Sequence, residues 1–235
     1  MNNLKENLEN IRARVESACE SAGRDPAEVT VLAVSKRHSA ARIRALHALG
    51  QLQFGENYIQ EALPKIAELA ALGLEWHYIG PLQSNKTKEA ATHFDWVQSA
   101  DRAKILRRLS NQRPAERGPL RVCIQVNIDR EPQKAGASPE ESAELARLCH
   151  ELPGLELRGL MCIPRIGSTA HDPAESYARM RALYDTLRGD GLPLDTLSMG
   201  MSADLEAAVR HGSTMVRIGT DLFGPRPPES EINQE

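Results

Sequence analysis

Apolar residues recur at Leu4, Leu8, Ile11, Val15, Ala18 and Cys19. Their spacing of three and four puts them on one face of a helix. Gly23 and the Asp25-Pro26 pair end that pattern. Residues 29–34 then form an unbroken, largely β-branched apolar run. Such a run reads as a strand buried on both faces, as in a parallel sheet. It ends at Ser35-Lys36, and a helical pattern follows over 40–49, closed by Gly50. The same unit recurs along the chain. Strands are predicted at 52–54, 76–79, 96–98, 122–126, 157–161, 194–197 and 215–218, and helices at 57–71, 83–91, 101–111, 139–151, 173–189 and 202–211. Alternation of this kind implies α/β architecture with a parallel sheet. Eight units in 235 residues fit a single (β/α)8 barrel carrying an extra N-terminal helix. An open doubly wound sheet with fewer strands is the alternative. Polar, Pro- and Gly-rich stretches at 111–119 and 166–173 read as surface loops. We expect one domain over 1–225 and a flexible tail over 226–235, where Pro227 and Pro228, following Pro225, oppose a helix.

Composition narrows the class. Lys plus Arg is 29 and Asp plus Glu is 32, a net charge of −3; this argues against a dedicated nucleic-acid binder. Two Trp, four Tyr and three Phe leave few rings for stacking, so a ligand would be held by polar groups and backbone. Cys19, Cys123, Cys149 and Cys162 form no CxxC pair or zinc-ligand spacing and read as reduced apolar residues. The polar N-terminus and the lack of a long apolar run lead us to expect a cytoplasmic protein with no membrane partner and no metal.

In a barrel, chemistry belongs at the C-terminal ends of the strands. Lys36 follows the first strand directly. A desolvated lysine there can form an imine with a carbonyl ligand, although a lysine at a strand end can equally snorkel to solvent. After strands seven and eight, Gly200, Ser202, Gly219 and Thr220 offer backbone and hydroxyl donors to an anion, with Ser202 expected as an N-cap and Asp204 and Glu206 in the first turn. An ordinary capped helix is the competing reading. Arg217, between Val216 and Ile218, points opposite to them; it either faces the barrel interior near a ligand or makes a structural ion pair. An imine-forming lysine, a phosphate cradle and a partner for a ring nitrogen are what pyridoxal phosphate (PLP) requires.

Six ordered stretches sharpen this: Ala33-Val34-Ser35-Lys36, Phe54-Gly55-Glu56-Asn57-Tyr58, the run from His77 to Lys86, Gly159-Leu160-Met161, the run from Leu197 to Ser202, and Val216-Arg217-Ile218-Gly219-Thr220. Together they resemble the YggS/PROSC family of pyridoxal phosphate homeostasis proteins, which is similar to the N-terminal barrel of alanine racemase, a TIM-type fold of PLP fold-type III. The resemblance implies that Lys36 is the aldimine lysine and that Ser198, Ser202, Gly219 and Thr220 line the phosphate site. It further implies that Arg217 faces the pyridine nitrogen and that Asn57, His77 and Met201 lie around the cofactor.

An always-protonated arginine donates to the ring nitrogen and disfavours its protonation, which weakens the ring as an electron sink. Racemisation tolerates this but needs a second base, which alanine racemase takes from a separate domain and a partner subunit; we expect the barrel to take up these 235 residues and leave none for such a domain. We therefore expect a monomeric protein without established turnover that holds PLP, serves vitamin B6 homeostasis, influences amino-acid pools and passes PLP to apoenzymes. The alternatives are a minimal amino-acid racemase and a bare structural barrel.

Overall fold

The computed structural model describes residues 2–165 and 172–225. The expected loop at 166–173 falls mostly outside the described residues, and the expected tail at 226–235 falls wholly outside them.

The chain begins with α1 (Asn2–Ser21) and then alternates. The series runs β1 (Thr30–Val34), α2 (Ala40–His47), β2 (Gln53–Glu56), α3 (Ile59–Glu68), β3 (Glu75–Tyr78), α4 (Thr87–His93), β4 (Trp96–Ala100) and α5 (Ala103–Gln112). It continues with β5 (Leu120–Val126), α6 (Pro139–Glu151), β6 (Leu155–Cys162), α7 (Pro173–Gly189), β7 (Thr196–Ser198), α8 (Leu205–Arg210), β8 (Met215–Ile218) and α9 (Thr220–Phe223). All neighbouring strands are parallel, and β8 returns to β1 to close the barrel. Closure, rather than an open doubly wound sheet, is therefore the architecture.

Local chemistry explains the best-predicted elements. Ser138 and Glu141 form a reciprocal capping box with Pro139 at the first helical position, so α6 starts at the expected residue. Asp172 accepts from Ala174 N ahead of α7, again with Pro at the first position. Two expectations are corrected. The helix predicted over 57–71 stops at Glu68 and tightens into a 3-10 turn at Ala70–Leu72. The stretch predicted as helix from residue 83 opens with a 3-10 turn at Ser84–Lys86. The surface loop expected at 111–119 follows the last residues of α5 and holds a 3-10 turn at Ala115–Arg117.

The main core lies between the outer barrel face and the helices, with residues such as Phe54, Val97, Leu106, Leu160 and Val216 buried. A separate small cluster of Trp96, Cys123 and Met161 packs apart from it. All four cysteines are buried and free. Burial pushes the Cys149 and Cys162 thiols up to about 12, so neither is a thiolate at neutral pH. Among the described residues no helix is long and apolar enough to cross a membrane, and no His/Cys/Asp/Glu group could hold a metal.

One strand irregularity tightens the barrel. Val122 pairs with Leu157 but Cys123 pairs with Gly159, so β6 carries an extra residue at Arg158. This brings Gly159 so near β7 that a Cβ would lie 1.6 Å from Thr196 O. Gly159→Ala is expected to cost about 3 kcal/mol of stability. Urea unfolding measures this, and a loss below about 1 kcal/mol would contradict the close approach.

Candidate functional site

A cavity of about 270 Å³ opens at the C-terminal ends of the strands. Lys36 reaches it from the end of β1, Asn57 from the end of β2, and Met201 and Ser202 from the segment after β7. Arg217 of β8 and the following Gly219 and Thr220 complete the polar wall, while Val34, Ile79 and Ile163 supply apolar surface. Seven of the nine expected site residues thus share one cavity. His77 and Ser198 do not lie on its lining.

Arg217 is the cation of this wall. It is 5% exposed. Its Nη1 donates to Ser198 O at 2.8 Å and Ser198 Oγ at 2.9 Å, and its Nη2 donates to Cys162 O at 2.8 Å. Neutral oxygens hold it, and no ion pair to it is found among the described residues, so the interior-facing alternative applies. Burial draws its pKa down from the ordinary guanidinium value, with Cys162, Tyr177 and Asp204 opposing. Three of its five N–H donors are anchored from behind.

Ser198 and His77 belong to a hydrogen-bonded chain running beneath Arg217. Ser198 Oγ donates to Gln98 Oε1 at 2.7 Å, and Gln98 Nε2 donates to His77 Nδ1 at 2.9 Å. That contact assigns the ring proton to Nε2, which faces Glu75 Oε1 at 3.0 Å. His77 is fully buried, and desolvation lowers its pKa, so the ring is neutral. Glu75 also accepts from Trp96 Nε1 at 3.0 Å and Arg121 Nη1 at 2.6 Å. Burial works to raise its pKa, but the His77 hydrogen bond and the Arg121 guanidinium prevail and hold it at about 2. Every link donates in one direction, from the Arg217 cation to the Glu75 carboxylate.

The β7 segment corrects the expected cap. Ser202 is not an N-cap, because α8 starts only at Leu205. Gly200 adopts φ +96, and a Cβ there would meet Ala208 Cβ at 2.5 Å. The tight turn that follows is closed by Met201 N donating to Asp204 Oδ1 at 2.6 Å, while Tyr177 donates to Asp204 Oδ2 at 2.6 Å. Asp204 therefore takes the cap position without capping the helix. Arg14 of α1 ties the segment to its neighbour: it donates to Ser202 O at 2.7 Å, to Glu206 Oε1 at 2.7 Å and to Asp221 Oδ2 at 2.9 Å.

The site carries one signature of an outside partner. Asn57 Oδ1 is buried with no hydrogen-bond partner among the described residues, which is costly unless a ligand supplies a donor. Leu222 N and Phe223 N at the start of α9 donate to Gly219 O, whereas Thr220 N and Asp221 N have no acceptor among the described residues. A lysine, a guanidinium, an orphaned amide oxygen and unfilled backbone donors suit a compact phosphorylated carbonyl compound. Arg14, Gln98 and Glu75 carried no sequence signal, because each acts through partners distant along the chain. Val34 and Ile79 were findable as strand-end positions.

The chain matches the family described as "Alanine racemase, N-terminal domain" over residues 2–227. It is 54% identical to the pyridoxal phosphate homeostasis protein of Pseudomonas aeruginosa over 96% of this chain and 97% of that one. The Escherichia coli K12 protein of the same name is 49% identical, covering 96% and 98%. Among solved structures, PipY of Synechococcus elongatus with PLP bound superposes with a TM-score of 0.82 at 38% identity, covering 94% of this chain and 100% of that one. An alanine racemase of Clostridium difficile shares the fold at a TM-score of 0.73 and 15% identity, covering 97% of this chain and 58% of that chain. The chain belongs to the alanine racemase N-terminal-domain family and, within it, to the pyridoxal phosphate homeostasis proteins.

The Glu75 pKa generates a pH prediction. It is depressed from 4.5 to about 2 on folding. Its contribution is therefore present above about pH 4.5 and is lost as pH falls toward about 2. Glu75→Gln should lower stability at pH 7 in urea titrations, and the gap to the parent should narrow as pH falls from about 4.5 toward about 2. A gap independent of pH would contradict this.

Proposed function

We propose that this protein binds PLP in the cavity at the C-terminal mouth, with Lys36 Nζ as its attachment point, and acts in PLP homeostasis. The observation that carries the reading is the meeting of Lys36 from β1 with Arg217, Gly219 and Thr220 from β8 in one cavity. A structural relative described with PLP bound supports it. When bound, the cofactor supplies an electrophilic aldehyde carbon that a neutral primary amine takes up with loss of water.

Gly219, Thr220 and Ser202 would bind the phosphate through backbone and hydroxyl donors. Arg217 would present its remaining N–H donors to the ring nitrogen and, remaining charged, keep that nitrogen unprotonated. Asn57 and Met201 would flank the ring. Ser198 and His77 would act through Arg217, as the supports that fix its guanidinium.

The cavity lining also favours holding over turnover. Among its described residues, Lys36 and Arg217 are the titratable groups, and a guanidinium does not exchange protons near neutrality. Racemisation needs a base on each face of the substrate. We therefore infer a protein that sequesters a reactive aldehyde and yields it to PLP-dependent apoenzymes. We further propose that it acts as a monomer in the cytoplasm, a compartment consistent with four free, buried cysteines.

Titration of the apoprotein with PLP should develop the visible absorbance of a lysine-linked cofactor, made permanent by borohydride. Lys36→Ala should abolish the band while leaving the unfolding free energy within about 0.5 kcal/mol of the parent. A parental band in Lys36→Ala would overturn the assignment.

A further inference from the structure

The turn bearing Lys36 is held by a polar cluster of Glu56, Glu61 and Lys65 that does not line the cavity. Ser35 O accepts from His38 N at 3.1 Å, so Lys36 and Arg37 are the central residues of a β-turn. Arg37 has φ +63 and Lys36 does not share that sign, the sign pattern of a type II turn. That turn prefers glycine at the position Arg37 occupies.

Three side chains converge on this turn. Lys65 Nζ, from α3, donates to Ser35 O at 3.1 Å, to Glu56 Oε1 at 3.0 Å and to Glu61 Oε1 at 2.6 Å. Ser35 Oγ donates to Glu56 Oε1 at 2.7 Å. Glu61 Oε1 also accepts from Arg37 N. The backbone on both sides of Lys36 is therefore tied to one cluster. The Glu56 side chain is fully buried and that of Lys65 is 10% exposed. Stability alone does not account for such a group, since well-packed apolar residues commonly serve as well or better. What apolar residues would not do is anchor Ser35 O and Arg37 N–H at fixed points.

We propose that Glu56, Glu61 and Lys65 are positioning residues whose work is to hold the Lys36 turn in its strained conformation, so that the amine meets a carbonyl ligand already aimed. This deepens the PLP reading and rests on it.

The test uses the full chain with two probes: PLP itself, and 4′-deoxypyridoxine 5′-phosphate, which keeps the ring and phosphate but has no aldehyde. Glu61→Ala removes the acceptor for Arg37 N–H. It should slow covalent attachment at saturating PLP about tenfold, by releasing a turn that glycine-free backbone disfavours. Affinity for the deoxy analogue should stay within about twofold, because ring and phosphate contacts lie elsewhere. Adding Arg37→Gly should restore the rate to within about threefold of the parent, since glycine accepts positive φ without strain. Lys65→Met should slow attachment in the same sense. A parental rate in Glu61→Ala, no rescue by Arg37→Gly, or a parallel loss of analogue affinity would overturn the proposal. Loss of PLP attachment only in Lys36→Ala, with Glu61→Ala at the parental rate, would sink the positioning role and leave the PLP reading standing. Attachment persisting in Lys36→Ala would sink the PLP reading itself.

Discussion

The pairing of β1 with β8 is the constraint from which the site follows. Leu32 lies beside Arg217, and Ala33 beside Ile218. Continuing that register past the strand ends sets Lys36 near Gly219 and Thr220, although they come from opposite ends of the chain. No local propensity could bring them together; only a closed sheet with all strands parallel does so. Arg14 of α1 then fastens the β7 and β8 segments to the first helix. The same wall that closes the barrel is thus the wall of the cavity.

Closure also creates a problem, because a buried guanidinium must be satisfied without water. The solution is graded rather than paired. Arg217 is held by carbonyl and hydroxyl oxygens, and the chain Ser198–Gln98–His77 leads to a carboxylate at the start of β3. Each group is polarised by the next in one direction, which strengthens the series. A direct ion pair would have occupied the donors that the site presents to its cavity. Near Lys36 the balance is opposite: a compact ionic cluster is spent on two backbone anchors.

Much of the architecture was legible because local signals agreed. Pro139 after Ser138 and Pro173 after Asp172 mark helix starts unmistakably, and the unbroken apolar run before Ser35 marks a doubly buried strand. The onset of α8 was misread, because Ser202 has the right side chain for a cap but Asp204 and Gly200 build a turn first. In the site, Lys36 and Arg217 were visible as charges placed against apolar strands. Whether Arg217 met a carboxylate was undecidable from sequence, since its acceptors come from β6 and β7. Arg14, Lys65 and Glu61 were invisible for the same reason: each lies on a helix face with ordinary surface composition, and only tertiary packing gives it a role.

In the proposed site one lysine, singled out by its turn, captures the cofactor. The chain has seven lysines, and an aldehyde reacts with any accessible amine, so selectivity is the decisive observable. Peptide mapping by mass spectrometry after borohydride reduction of the stoichiometric PLP complex measures it directly. A phosphopyridoxyl adduct confined to the peptide containing Lys36, with the cleavage after Lys36 blocked, is the expected result. An adduct spread over several lysines, or concentrated on another one, would contradict it.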